Sequence, residues 1–196
     1  MQYRGIIVIN IPNNTSPICC LIGIDPGSTC VGISIMQVDV QTTNILGTNA
    51  FTIKLDKLSG NDWIAQNYGD RYRRISILKD TLAGIFVKER PFSIAIEAPF
   101  FNHFRPQAYG VLMEVMSAIK ETIYDYDHWQ LPYLIDPSSV KNAVGANGAA
   151  KKEVIHKKVL ELSSVLHPVV DLQLLDEHSI DAIAVNYCRY KRLFTI

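Results

Sequence analysis

The hydrophobic and polar positions of the first fifty-five residues follow a strand-like pattern. Residues 19–25 (CCLIGID) form a continuous apolar run that ends on a carboxylate, which is typical of a buried strand. Residues 26–28 (Pro-Gly-Ser) predict a turn. Alternating, β-branched positions predict two more strands at 31–40 and 49–55. Together these segments predict an antiparallel three-stranded meander.

From residue 71 the apolar positions change to a helical period. Ile75, Leu78 and Leu82 recur on one side of the segment 71–88, with basic residues on the other side. The rest of the chain alternates between the two periods, which predicts an α/β fold with a mixed sheet flanked by helices. The further predicted elements are strands at 92–96 and 131–135, and helices at 109–126, 138–144, 151–162 and 179–190.

Length and composition suit one folded domain. The chain has 196 residues, of which 48% are apolar and 19% charged. No apolar run approaches the roughly 18 residues that span a bilayer, so no membrane association is expected. The short apolar patch near the amino terminus is interrupted from Asn10 onward and makes a poor signal peptide, so we expect a cytoplasmic protein. We interpret residues 1–18 as an amino-terminal extension and 19–196 as the functional domain.

Charge and cysteine content narrow the function classes. The 19 basic and 19 acidic residues balance, which argues against a protein that coats nucleic acid nonspecifically. A local basic segment nevertheless runs from Lys141 to Lys158, with five lysines and one acid. The four cysteines show no CxxC spacing, so we expect reduced thiols rather than a zinc site or a disulfide framework.

Four side chains stand out as candidate chemistry. Asp25 and Glu97 each end a predicted strand, and if those strands are neighbours in one sheet both carboxylates emerge at the same edge. His178 and Asp181 lie three apart and therefore share a helix face. Mg²⁺ and Mn²⁺ prefer oxygen ligands, and two such ions about 3.5–4 Å apart support phosphodiester hydrolysis. The sequence therefore predicts a nuclease-type metal site with two ions.

Each of these residues also has a purely structural interpretation. Asp25 precedes Pro-Gly, where an aspartate is ordinary turn chemistry. His178 and Asp181 fall near the start of the last helix, where they would serve as caps. Glu97 is harder to explain structurally, since a carboxylate closing an apolar strand would be half buried without a partner. The residues alone leave both interpretations open.

Four segments of the chain resemble the motifs of RuvC-type Holliday junction resolvases, a family of the RNase H-like superfamily. They are IGIDPGSTCVGISI, IAIEAPFFNHF, DPSSVKNAVGANGAAKKEVI and LDEHSIDAIAV, in family order from residue 21 to about 190. The resemblance implies an RNase H-like α/β fold with a mixed five-stranded sheet flanked by helices. It also implies that 19–196 is a nuclease domain.

The resemblance assigns roles to individual residues. Asp25, Glu97, His178 and Asp181 take the four catalytic positions and hold two Mg²⁺ or Mn²⁺ ions. Many family members carry aspartate where this chain has His178, which favours Mn²⁺ because that ion accepts imidazole more readily. The remaining predicted contacts are with DNA: Lys141 and Lys152 near the scissile phosphate, Lys151 on a phosphate, Phe100 on an unpaired base, and Arg105 and His103 on the backbone.

The family also implies the substrate and the assembly. The leading hypothesis is symmetric nicking of a four-way DNA junction by a homodimer, with Met113, Met116 and Tyr124 of the helix 109–126 at the interface. The divergent extension favours a bacteriophage source. The alternatives are a broader nuclease for flaps and other branched DNA, a nucleotide-binding phosphotransferase suggested by the GIDPGST loop, and a non-catalytic junction binder. Cleavage of a cruciform, a flap and a duplex, together with ATP binding, discriminates among them.

Overall fold

The computed structural model describes residues 17–58, 60, 62–100 and 106–194. Most of the predicted extension, and the predicted DNA contacts Arg105 and His103, lie outside the described residues. Five strands form one sheet in the order β3-β2-β1-β4-β5. The strands are β1 (Ile18–Asp25), β2 (Cys30–Asp39), β3 (Ile45–Lys54), β4 (Ser93–Glu97) and β5 (Pro132–Ile135). The helices are α1 (Asp62–Tyr68), α2 (Asp70–Glu89), α3 (Pro106–Tyr126), α4 (Pro137–Ala143), α5 (Lys152–Glu161), α6 (Ser163–Leu166) and α7 (Glu177–Phe194), with a 3₁₀ turn at Leu172–Leu174.

The strand pairing confirms the predicted mixed sheet. β1, β2 and β3 pair antiparallel as a meander, while β1, β4 and β5 run parallel. The parallel strands therefore present their carboxyl ends at a single edge, where Asp25, Glu97 and Ile135 end their strands. This edge is called the catalytic edge below.

Side chains at alternating positions of the strands point to opposite faces of the sheet, and both faces are buried. Ile22 and Ile24 of β1 face a core shared with α2 and α3. Leu21 of β1 and Ala95 of β4 face the second core, which α4, α5 and α7 cover. The period of two thus places Asp25 and Glu97 on the same side as Leu21 and Ala95, toward α7.

Two short helices were not predicted, and some element boundaries differ from the sequence prediction, including the end of the last helix, which extends to Phe194. β3 begins at Ile45 rather than residue 49, which extends its pairing with β2. α1 was not predicted because none of its residues is buried, so it carries no apolar stripe. α6 has only four residues, too few for a period to show. None of the helices in the described ranges is long and apolar enough to cross a bilayer.

The side chains of α3 correct one part of the predicted interface. Met116 is 1% exposed and packs in the core beneath the sheet, so it is not available to a partner subunit. Its spacing placed it on the apolar stripe that faces β1 and β4, where burial of a large side chain stabilises the fold. Tyr124 is 57% exposed and remains accessible. All four cysteines are free thiols, as predicted.

Candidate active site

Strand register places the first two acidic residues side by side. Ile24 of β1 pairs with Ile96 of β4, so Asp25 and Glu97 follow as neighbours at the catalytic edge. Asp25 is buried and Glu97 is half-buried. Two carboxylates this close repel each other unless protons or cations compensate their charge.

The last helix brings His178 against this pair. Nδ1 of His178 lies 2.8 Å from Oδ2 of Asp25, across 153 residues of sequence. The contact depends on a close approach of α7 to the sheet. A Cβ added at Gly32 would lie only 2.0 Å from the carbonyl oxygen of His178, and one at Gly23 would lie 2.5 Å from that of Ala182. Only glycine at these two positions lets the helix backbone come this near.

The start of α7 is capped by a different residue from those considered above. Asp176 accepts hydrogen bonds from the Ser179 backbone NH at 3.0 Å and from the Ser179 hydroxyl at 2.8 Å. The Thr52 hydroxyl of β3 also donates to Asp176. The capping interpretation of His178 and Asp181 is therefore wrong. Their side chains line the cavity at the catalytic edge instead.

Two lysines from α4 and α5 reach the same place. Nζ of Lys152 lies 3.5 Å from Oδ2 of Asp181 and 3.3 Å from Oε2 of Glu177. Nζ of Lys141 donates a 2.9 Å hydrogen bond to the carbonyl of Ala150 in the loop between these helices. The N-cap of α4, Asp136, directly follows β5, which anchors the helix that carries Lys141 to the catalytic edge.

These groups converge on one cavity of about 340 Å³. It contains all four predicted metal-binding residues and both predicted catalytic lysines. Pro26, Pro137, Val140 and Ile155 supply its apolar walls, so the charged groups lie in partly desolvated surroundings. Its lining is Asp25, Pro26, Glu97, Pro137, Val140, Lys141, Lys152, Ile155, His178 and Asp181.

Burial and mutual repulsion raise the pKa values of two carboxyl groups in the cavity. Burial and then the charges of Asp25 and Asp181 raise the pKa of Glu97 to about 8. Burial and the charge of Asp25 raise the pKa of Asp181 to about 6, against the lowering effect of Lys152. The raised pKa values show that the three carboxyl groups resist ionising together, and a bound cation would relieve that repulsion.

The pKa values of His178 and Lys152 are also raised, which for these groups favours the charged form. The hydrogen bond to Asp25 raises the pKa of His178. Burial opposes protonation of Lys152, but the charges of Asp181 and Glu177 outweigh it and raise the pKa of Lys152. Both groups are therefore stabilised as cations by the carboxylates that they contact.

The donor set fits a divalent cation chemically, although the side chains pair with one another as placed. Within residues 17–58, 60, 62–100 and 106–194, no three or more His, Cys, Asp or Glu side chains are arranged to hold an ion directly. The pairs described above account for this, because Asp25 accepts from His178 and Asp181 faces Lys152. Carboxylate oxygens and one imidazole nitrogen remain the ligands that Mg²⁺ and Mn²⁺ use.

The predicted DNA contacts outside the cavity have different surroundings. Phe100 follows β4 by three residues and is 76% exposed, so the alternative of core packing is wrong for this residue. Lys151 is exposed at the N-cap of α5, next to Lys152.

Three residues that position the site were missed by sequence reasoning. Gly23 and Gly32 set the distance of α7 from the sheet, as described above. Asn186 is fully buried, and its side-chain amide donates to the carbonyls of Leu21 and Ser34 at 3.0 and 3.1 Å. It therefore fixes α7 to β1 and β2 together. An asparagine among the apolar residues of the last helix was the available signal.

The chain is similar in sequence and in structure to RuvC proteins. The crossover junction endodeoxyribonuclease RuvC of Bacteroides fragilis is 24% identical over 179 residues, which cover 88% of this chain and 82% of that protein. RuvC of Chromohalobacter salexigens is 30% identical over 139 residues, covering 71% and 66%. The structure of T. thermophilus RuvC with a Holliday junction substrate superposes with a TM-score of 0.65 at 17% identity, covering 90% of this chain and 96% of that one. No family model matches the chain. The structural similarity establishes the RNase H-like fold.

Proposed function

We infer that this chain is an endodeoxyribonuclease that resolves four-way DNA junctions, because it belongs to the family of RuvC-type Holliday junction resolvases. Eight curated RuvC proteins match it, the first two over more than four fifths of this chain. One of the similar structures is a complex of RuvC with a Holliday junction, which supports binding of branched DNA by this chain. We further propose that it acts as a symmetric dimer with two divalent ions in each active site.

One observation carries the proposal. Three carboxyl groups and an imidazole from β1, β4 and α7 line one cavity, and two lysines from α4 and α5 enter it from the other side. Structural needs do not explain this convergence, since burying like charges together destabilises a fold. Metal-assisted hydrolysis of a phosphodiester explains it, because such a site must hold cations and an anionic phosphate together.

The residues divide into a metal-binding and a phosphate-binding group. Asp25, Glu97, His178 and Asp181 would hold the ions, with Asp25 placed centrally because it contacts His178 and adjoins Glu97. A bound divalent cation supplies an activated water and compensates the charge on the departing 3′ oxygen. The hydrogen bond between His178 and Asp25 uses Nδ1 and Oδ2, so it leaves Nε2 of His178 and Oδ1 of Asp25 to face an ion.

The lysines are proposed to bind the phosphate. The Lys152 ammonium lies between Asp181 and Glu177 and can turn from them to a phosphate oxygen. Lys141 is held at the cavity by its hydrogen bond to Ala150. Fixed positive charges in a partly apolar cavity stabilise the charge that develops during displacement. Neither lysine needs to change its protonation state for this role.

The first prediction concerns the substrate. In Mg²⁺ or Mn²⁺ the protein should cleave a synthetic four-way junction at least about tenfold faster than a flap or a linear duplex, with paired nicks placed symmetrically. Gel analysis of end-labelled strands measures the rates, and sedimentation velocity measures the dimer. Equal rates on flap and junction would favour the broader branched-DNA nuclease, and single unpaired nicks would contradict symmetric action by a dimer.

The second prediction concerns pH and metal binding. The pKa values of Glu97 and Asp181 are raised above their ordinary values, so in the absence of metal these groups stabilise the fold least when ionised. The metal-free protein should therefore lose stability as pH rises from about 5 to about 8. Mn²⁺ at about a hundredfold its dissociation constant should raise Tm by about 5–10 °C at pH 8.5. At the same Mn²⁺ concentration the increase in Tm at pH 5.5 should be much smaller, because protons compete with the metal for the carboxylates.

Thermal melts of the wild-type protein and of Glu97→Gln provide the comparison. The variant keeps the shape of the side chain but lacks its charge, so its metal-free Tm should fall less between pH 5.5 and pH 8.5. An identical metal response in the two proteins at pH 8.5 would remove Glu97 from the metal site.

A further inference from the structure

Three aromatic side chains near the start of α2 are exposed and touch one another. Trp63, Tyr68 and Tyr72 are 64%, 63% and 55% exposed. The ring centroids of Trp63 and Tyr68 lie 5.9 Å apart, and those of Tyr68 and Tyr72 lie 5.5 Å apart. These three residues, called the aromatic patch, form a continuous surface of ring faces and edges.

The patch contributes little to the fold itself. α1, which carries Trp63 and Tyr68, has no buried residue. Large aromatic side chains stabilise a protein mainly through the area they bury. Exposed apolar patches of this kind usually mark a surface that contacts another molecule.

The connection from β3 to the helices that carry the aromatic patch begins at the catalytic edge. Lys54, the last residue of β3, pairs with Cys30 of β2, and the Leu55 NH donates to the Thr29 carbonyl at 2.8 Å. The connection that leads to α1 therefore begins beside the turn that follows Asp25. Arg73 donates to the Leu58 carbonyl at 2.8 Å, which holds the first turn of α2 against this same connection.

The helix that carries Tyr72 also contacts α3, the first helix after Phe100. Arg71 forms a 3.1 Å ion pair with Glu114 of α3, and α3 begins shortly after Phe100. The metal-binding cavity opens on the α7 side of the sheet, while the patch lies on the side of α2 and α3. A branched DNA that spans the catalytic edge would reach both.

The charge around the patch favours a polyanion. Residues 54–74 contain five basic and three acidic residues in a chain whose formal net charge is zero. The three arginines pair with Asp70 and Glu114, while Lys54 and Lys57 are exposed at the end of β3 and in the connection that follows it. Aromatic rings combined with nearby cations are the arrangement that binds unpaired bases and their phosphates.

We propose that the aromatic patch is a second DNA contact, on which bases unpaired at the branch point stack. This rests on the proposed function and adds to it a surface separate from the metal site and from Phe100. Each stacked base contributes about 1–3 kcal/mol, so Trp63→Ala should weaken junction binding about five- to a hundredfold. Trp129→Ala is the matched control, because Trp129 is 90% exposed and lies just before β5, at the opposite edge of the sheet.

The two tryptophans of the chain allow a direct optical test. Trp129→Phe leaves Trp63 as the only tryptophan, and Trp63→Phe leaves Trp129. Each full-length variant is titrated with a four-way junction that carries one unpaired nucleotide at its branch point, in buffer without divalent ions. We expect strong quenching of Trp63 by the junction, weak quenching by a blunt duplex, and no change in Trp129.

The outcomes separate this proposal from the proposed function. Unchanged Trp63 emission, or equal quenching by the blunt duplex, would overturn the stacking surface. Emission that changes with protein concentration alone, together with loss of the dimer in Trp63→Ala, would make the patch a contact between two copies and would also overturn it. Metal-dependent junction cleavage by the wild-type protein is measured in parallel. Cleavage without quenching refutes only the stacking surface, while quenching without any cleavage refutes only the nuclease.

Discussion

Asp25→Asn should abolish junction cleavage while leaving junction binding intact. Asp25 is buried, contacts His178 at 2.8 Å and lies beside Glu97, so its carboxylate is next to two of the other three proposed metal ligands. Asparagine keeps the shape and one oxygen but removes the charge that would bind cations. We expect the cleavage rate to fall by about a thousandfold or more, as loss of several kcal/mol of transition-state stabilisation requires.

Single-turnover cleavage and binding in the absence of metal should be measured together for this variant. Loss of a negative charge next to the phosphate path should leave the affinity for DNA equal or slightly higher. Asp80→Asn is the matched control, because Asp80 is exposed on α2 away from the cavity. Wild-type cleavage by Asp25→Asn would refute the assignment of this residue to the reaction.

The acidic pair could be predicted because each carboxylate closes an apolar strand-like run, provided that the two strands are neighbours in the sheet. Apolar runs that end on Asp25 and Glu97 identify two strand ends, and parallel pairing then makes them neighbours. The helical spacing of His178 and Asp181 likewise fixes a shared face. These are short-range patterns, so a single sequence contains them.

The distances in the site could not be predicted, because they depend on contacts between distant segments. That Lys152 pairs with Asp181, and His178 with Asp25, follows from how α5 and α7 pack on the sheet. His178 and Asp181 were considered as caps of the last helix, and Asp176 was therefore missed, although an aspartate before a helix is a common cap. The aromatic patch was missed since α1 lacks an apolar stripe.

The close packing of α7 also explains why small residues follow one side of the central strands. Gly23 of β1, Gly32 and Ser34 of β2 and Ala95 of β4 all lie on the face toward α7. Larger side chains there would move the helix outward and carry His178 and Asp181 away from the carboxylates. The shape of this face therefore sets the geometry of the proposed metal site.

Gly32→Ala tests this link between packing and function with a change of one methyl group. The added Cβ would lie 2.0 Å from the His178 carbonyl oxygen, so α7 must shift by about 1 Å to restore contact distances. Displacement of that size costs about a hundredfold in rate, and overpacking costs about 1–3 kcal/mol of stability. We expect cleavage at saturating junction to fall about a hundredfold and Tm to fall by several degrees.

Gly84→Ala is the matched control, because a Cβ at this helical glycine of α2 meets nothing within 4 Å. It should raise Tm slightly, since alanine is favoured over glycine inside a helix by about 0.5–1 kcal/mol, and it should leave cleavage unchanged. Near-ultraviolet circular dichroism establishes whether Gly32→Ala remains folded at the assay temperature. A folded Gly32→Ala protein that cleaves at the wild-type rate would mean that the site tolerates movement of α7, and that the short contact between Gly32 and His178 does not position the catalytic residues.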